Sequence, residues 1–214
     1  MTNEEKARET LRRLRLRFPE ARTELKYKSG FQLLVATILS AQCTDVRVNE
    51  VTKELFKRYK TAGELAKAKR KEIEKIIKSC GLYTMKARNI IKTSKIIAER
   101  HKGKLPAKRE DLELFPGVGR KTANIILAEV HGAPTFAVDT HIRRVTQRIG
   151  FVNSGDVRKI EDEMVKLIPD SERRGAHHLF IFLGRYICKA RNPDCPHCPL
   201  TDLCAYFYLQ NLKK

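Results

Sequence analysis

Apolar residues along this chain recur at intervals of three and four, and the strict alternation of a half-buried strand is scarce, so the pattern predicts an all-α protein. Residues 5–18 place Leu11, Leu14 and Phe18 on one side of a charged helix that Pro19 stops. Residues 31–39, after Ser29-Gly30, are a nearly continuous apolar run that reads as a central core helix. The polar stretch Ser40-Ala41-Gln42-Cys43-Thr44-Asp45 leads into a second helix through Val48, Val51, Leu55 and Phe56. Shorter helices are predicted over 62–68 and 71–79, followed by a Gly81-Leu82-Tyr83 turn and a long helix over 85–100 with Ile90, Ile91 and Ile97 inside. Beyond a Lys102-Gly103-Lys104-Leu105-Pro106 connection, the pattern predicts helices over 109–115, 120–130, 139–149, 157–168 and 172–190. No repeat of solenoid period and no low-complexity tract breaks this account.

One of these junctions carries chemistry. In Leu114-Phe115-Pro116-Gly117-Val118-Gly119-Arg120-Lys121, proline ends one helix and two glycines permit a tight turn with close backbone approach to a ligand. The next helix starts at once, so its N–H groups and dipole can face a phosphate, with Arg120 and Lys121 adding charge. Lys121 sits one turn into a helix whose apolar side is Ala123, Ile126, Leu127 and Val130. Desolvation there, together with Arg120, would favour a free, nucleophilic amine. The alternative is one more phosphate contact. Asp139 opens Val138-Asp139-Thr140-His141 as a helix N-cap or as a carboxylate able to stabilise developing positive charge; His141 is a phosphate contact or a structural hydrogen bond.

Charge and cysteine usage narrow the class. The net charge of +19 over 214 residues is spread along most of the chain and favours a polyanionic partner, DNA and RNA alike. The N-terminus lacks the apolar core of a signal peptide and no segment approaches a membrane span, so an intracellular protein with free or metal-bound cysteines is expected. Cys188, Cys195, Cys198 and Cys204 lie in one proline-bearing segment with Pro193, Pro196 and Pro199. Spacing alone suits tetrahedral zinc, with His197 as a possible substitute ligand, as well as it suits [4Fe-4S]. Lys189 and Arg191, between the first two cysteines, can offer charge to phosphate. Cys43 and Cys80 stand outside the pattern and read as small buried side chains.

Taken together, Leu39-Ser40-Ala41-Gln42-Cys43-Thr44-Asp45, the 114–121 hairpin, Val138-Asp139-Thr140-His141 and the cysteine spacing, in this order, make the whole chain resemble the bacterial endonuclease III family. That family belongs to the helix-hairpin-helix DNA glycosylase superfamily.

The resemblance implies an all-α, two-lobed fold: a central helical domain over 22–132 with the hairpin, and a discontinuous one of 1–21 and 133–214 with the cluster. It implies a bifunctional glycosylase and abasic-site lyase that removes oxidised pyrimidines from damaged double-stranded DNA through a lysine imine, followed by β-elimination. Lys121 would be the nucleophile and Asp139 its electrostatic and proton-transfer partner. Gln42 would fill the space left by an extruded nucleotide, and Leu82 would wedge near the opposite strand. Gly117, Gly119, Arg120, His141, Lys189 and Arg191 would contact DNA, and the four C-terminal cysteines would hold a [4Fe-4S] cluster. A cytoplasmic, nucleoid-associated monomer with no membrane partner is expected. The related adenine-mismatch glycosylases share the hairpin, the aspartate and the cluster, but Lys121 favours the lyase route. A noncatalytic DNA-binding or redox module is the alternative of another class.

Overall fold

The computed structural model describes residues 1–212. Among them every regular element is helical. The α-helices are α1 (Asn3–Arg17), α2 (Gly30–Ser40), α3 (Asp45–Arg58), α4 (Ala62–Ala66), α5 (Arg70–Ile76), α6 (Tyr83–Arg100), α7 (Arg109–Glu113), α8 (Arg120–His131), α9 (Thr140–Ile149), α10 (Val157–Leu167), α11 (Arg173–Phe182) and α12 (Ala205–Asn211). They form two compact units, one of Glu24–Gly132 and one joining Met1–Thr23 to the chain from Ala133 onward.

The first unit is built around α2. Ser29 caps it by accepting from the Gln32 N–H, and all side chains from Phe31 to Leu39 are buried. A run this apolar has no solvent face to offer, so α3, α6 and α8 pack around it. Gly30 is required by closeness: a Cβ there would stand 2.9 Å from a Val130 methyl carbon.

The second unit closes over a core of Leu11, Leu14, Phe136, Ile142, Val145, Ile149, Phe151, Ile160, Met164, Phe180, Leu183 and Ile187. Ile142, Val145 and Ile149 recur at helical spacing on α9, and Phe136 and Phe151 each meet Phe180 edge-on, with centroids 6.0 and 6.3 Å apart.

Three sequence expectations change. The helix expected over 172–190 is a short 3-10 turn, then α11, then a π turn over Leu183–Ile187. Gly184 in that π turn passes so close to α9 that a Cβ would lie 2.8 Å from the His141 Cβ, so the position needs glycine. The helix expected to reach Phe115 stops at Glu113, because Leu114 and Phe115 already enter the hairpin turn. α12, after the last cysteine, was not anticipated; Tyr208 and Leu209 on it are exposed, so it lacks the buried apolar stripe on which a sequence reading depends.

Candidate nucleic-acid interface and iron-sulfur segment

The hairpin between α7 and α8 is anchored from within. Phe115 and Val118 are buried, the Val118 N–H donates to the Phe115 carbonyl at 3.0 Å, and Thr93 Oγ1 on α6 donates to the Pro116 carbonyl at 3.0 Å. The two glycines do different work. Gly117 has φ of 83°, and a Cβ there would meet Asn89 Nδ2 at 3.0 Å. Gly119 has φ of −106° and nothing within 4 Å of its Cβ position, so its face is open to an approaching ligand. No side chain caps α8 at this end, and Arg120 and Lys121 start its first turn. The expected desolvation of Lys121 is not found. Its side chain is exposed, because a first-turn residue beside an open glycine points away from the buried side formed by Ala123, Ile126 and Leu127. Val130, expected on that apolar side, is 37% exposed at the far end of the helix.

Gln42 and Leu82 lie in two turns of the same unit that touch. A Cβ on Gly81 would be 3.4 Å from the Gln42 carbonyl oxygen. Both residues are exposed and left-handed, with φ of 53° and 58°. Side chains rarely adopt this conformation, which costs of order 1–3 kcal/mol and persists only where the flanking structure enforces it. Here α2 ends at Ser40, Thr44 caps α3 by accepting from the Arg47 N–H at 3.3 Å, and Leu82 directly precedes α6.

In the other unit Asp139 caps α9, its Oδ1 accepting from the Ile142 N–H at 2.8 Å. Two residues on, His141 Nδ1 lies 3.2 Å from Arg144 Nη2. Arginine only donates, so Nδ1 is the acceptor, and a neutral ring carries its proton on Nε2. Arg144 also donates from Nε to the Cys188 carbonyl at 2.9 Å and from Nη2 to the Gly184 carbonyl at 2.8 Å. One side chain thereby ties His141 to the start of the cysteine segment.

Cys188, Cys195, Cys198 and Cys204 line one pocket with Ile187, Pro193, Tyr206 and Phe207. Arg148, four residues after Arg144, holds the loop. Nη1 donates to the Lys189 carbonyl at 2.7 Å and reaches Cys188 Sγ at 3.5 Å, Nη2 donates to the Ala190 carbonyl at 3.1 Å, and the guanidinium stacks over Tyr206. With its backbone pinned, the loop exposes Lys189 and Arg191. From α1, Arg13 grips the other side of the segment through Asp202, at 2.6 and 3.0 Å, and the Pro199 carbonyl at 2.9 Å. Sequence reasoning missed all three arginines, although the spacing of four between Arg144 and Arg148 places them on one side of α9.

Burial pushes the Cys198 thiol up to about 11 and, with the charges of Cys188 and Cys204 added, raises Cys195 as well. A cation offsets that penalty by binding the thiolates. Among the described residues no three His, Cys, Asp or Glu side chains converge on a single ion. The four cysteines line one pocket, and four thiolates are the ligand set of a [4Fe-4S] cluster. His197, weighed as a ligand, is exposed and bonds Asp194 Oδ1 at 2.8 Å.

Comparison with known proteins matches residues 35–170 to the HhH-GPD superfamily base excision DNA repair protein family and residues 188–204 to the iron-sulfur binding domain of endonuclease III. Endonuclease III of Haemophilus influenzae is 46% identical over 204 residues, covering 95% of this chain and 97% of that protein. The chain belongs to the endonuclease III family. A solved non-covalent endonuclease III–DNA complex superposes with a TM-score of 0.93 at 43% identity, covering 100% of each chain. A trapped endonuclease III–DNA covalent intermediate superposes with a TM-score of 0.92 at 43% identity, covering 99% and 100%. As a family member the chain is a DNA glycosylase with abasic-site lyase activity, and it carries the family's iron-sulfur segment. No described helix is long and apolar enough to cross a membrane.

Proposed function

We propose that this chain excises oxidised pyrimidines from duplex DNA, with Lys121 as nucleophile and Asp139 as its carboxylate partner. The carrying observation is the position of Lys121: an exposed amine in the first turn of an uncapped helix, directly after an open glycine that admits a phosphate. Similarity to a trapped endonuclease III–DNA covalent intermediate supports it.

In this reading Gly117, Gly119 and the first N–H groups of α8 hold backbone phosphate, with Arg120 beside them. Gln42 and Leu82 enter the duplex together, the amide hydrogen-bonding the orphaned base and the leucine replacing lost stacking. DNA covers Lys121 as it binds and supplies the desolvation that the free protein lacks. The amine attacks C1′ of the extruded nucleotide, the damaged base leaves with a proton, and the opened sugar becomes an imine with Lys121. Loss of a C2′ proton expels the 3′ phosphate, and water then releases the enzyme. Asp139 stabilises positive charge on the sugar and assists the proton transfers. His141, Lys189 and Arg191 hold phosphate. Cys188, Cys195, Cys198 and Cys204 hold a [4Fe-4S] cluster, which when bound cross-links the segment and keeps its cationic loop ordered. The protein acts as a cytoplasmic, nucleoid-associated monomer.

The test is borohydride trapping on a duplex containing one thymine glycol. Wild type gives a covalent protein–DNA adduct, whereas Lys121→Ala gives none while still binding the duplex and keeping its visible cluster absorbance. An adduct with Lys121→Ala sinks the assignment.

A further inference from the structure

Two cysteines outside the iron-sulfur segment sit at the base of the paired turns that carry Gln42 and Leu82. Cys43 follows Gln42, and Cys80 precedes Leu82 by two residues. The turns meet beside them, where the Gly81 Cβ position is 3.4 Å from the Gln42 carbonyl oxygen, and the two thiols are within electrostatic reach of each other. Cys80 is 1% exposed and Cys43 is half-buried, so an oxidant reaches Cys43 first. Lys86 completes the cluster. Its Nζ is buried, donates to the Leu39 carbonyl at 2.9 Å and lies within electrostatic reach of both sulfurs, where its charge steadies a thiolate as it forms. Burial pushes the Cys80 thiol up to about 11, so it stays protonated and is not the first of the two to attack.

We infer that Cys43 and Cys80 form a thiol pair that a low-molecular-weight disulfide converts into an intramolecular disulfide bridging the Gln42 and Leu82 turns. The chemistry balances in two exchanges. The Cys43 thiolate attacks one sulfur of the small disulfide, forming a mixed disulfide and expelling one thiolate, which takes up the Cys43 proton. Cys80 then gives its proton to solvent and attacks Cys43 Sγ, forming the protein S–S bond and expelling the second small thiolate, which takes a proton from solvent. The pair loses two electrons and two protons, and the small disulfide becomes two thiols. The consequence is mechanical. A disulfide holds its sulfurs about 2.05 Å apart, closer than any non-bonded contact. The turns are in van der Waals contact, the Gly81 Cβ position being 3.4 Å from the Gln42 carbonyl, and both insertion residues already hold a left-handed backbone. Bridging shifts Gln42 and Leu82 and locks their spacing, so the turns cannot adjust as a duplex enters. This functional consequence rests on the insertion roles proposed for Gln42 and Leu82; the disulfide chemistry does not.

The test uses cluster-loaded protein, equilibrated with oxidised or reduced glutathione, with visible cluster absorbance followed throughout. Peptide mass mapping should find a Cys43–Cys80 linkage, and borohydride trapping of a thymine glycol duplex should fall about tenfold and return with dithiothreitol. Cys43→Ser, at a half-exposed position, should trap at the same rate under both conditions, and Cys80→Ser should retain glutathione on Cys43. Absence of the linkage, or glutathione persisting on wild-type Cys43, overturns the pair. Linkage with unchanged trapping overturns its effect on DNA capture. If the reduced protein does not trap at all, the proposed lesion chemistry has failed instead, and mass mapping with duplex affinity of the two forms decides the pair.

Discussion

Asp139 Oδ1 accepts the Ile142 backbone N–H at 2.8 Å, so the carboxylate assigned to the reaction is also the N-cap that starts α9. The cap fixes its position through a local bond, independent of any substrate. The two duties separate by substitution. Asparagine caps as well as aspartate but carries no charge. Asp139→Asn is expected to leave the melting temperature nearly unchanged and to slow base release by on the order of 10²–10⁴-fold. Asp139→Ala should lose the activity and also about 1 kcal/mol of stability. Single-turnover excision and thermal melting of both variants check this; normal excision by Asp139→Asn would confine the residue to capping.

The hairpin glycines should respond differently to alanine. Gly117→Ala meets both a positive φ and Asn89 Nδ2 at 3.0 Å, and is expected to destabilise the protein by about 1–2 kcal/mol. Gly119→Ala has room in the free protein and should melt within about 1 kcal/mol of wild type. The new methyl group stands where a phosphate would approach, and affinity for duplex DNA should fall about tenfold. Melting and fluorescence-anisotropy titration of both variants test the contrast.

Arg148 holds two loop carbonyls and approaches Cys188 Sγ with one planar fork. Lysine keeps the charge but cannot span these partners. Arg148→Lys should retain less iron per chain through purification and should bind DNA more weakly, because Lys189 and Arg191 lose their fixed presentation. Iron content and affinity at matched ionic strength are the measurements.

Arg13 supplies a pH-dependent tether between α1 and the cysteine segment. Its hydrogen bonds hold Asp202 below the ordinary carboxylate range, and those of Arg12 and Arg13 hold Glu9 at about 2 instead of 4.5. A carboxylate with a lowered folded pKa stabilises above its unfolded value, and that stabilisation is lost as pH falls through the folded one. Wild type should therefore melt above Arg13→Ala at neutral pH, and the gap should narrow as pH falls from about 4.5 toward about 2. Thermal melts across that window show it, and a gap independent of pH would exclude these carboxylates.

Two expectations fail for different reasons. Lys121 was expected to be desolvated because its helix has an apolar side, yet the 3.6-residue period itself sets position 121 opposite Ala123, Ile126 and Leu127, beside an open turn. Leu183–Ile187 was expected to continue a regular helix because apolar spacing at three and four runs through it; the structure winds it as a π turn, with Gly184 close against His141.

By itself the sequence determined what local physics encodes. The 3.6-residue period marked the helices, Pro116 with Gly117 and Gly119 marked the hairpin, Asp139 marked a helix start, and the cysteine spacing marked a soft-ligand site. Only the tertiary structure decided which distant groups meet: Arg13 with Asp202, Arg144 with Cys188, and Cys43 with Cys80. Such contacts arise when helices pack to bury their apolar sides, and the polar groups brought together at the edges leave no periodic signature along the chain.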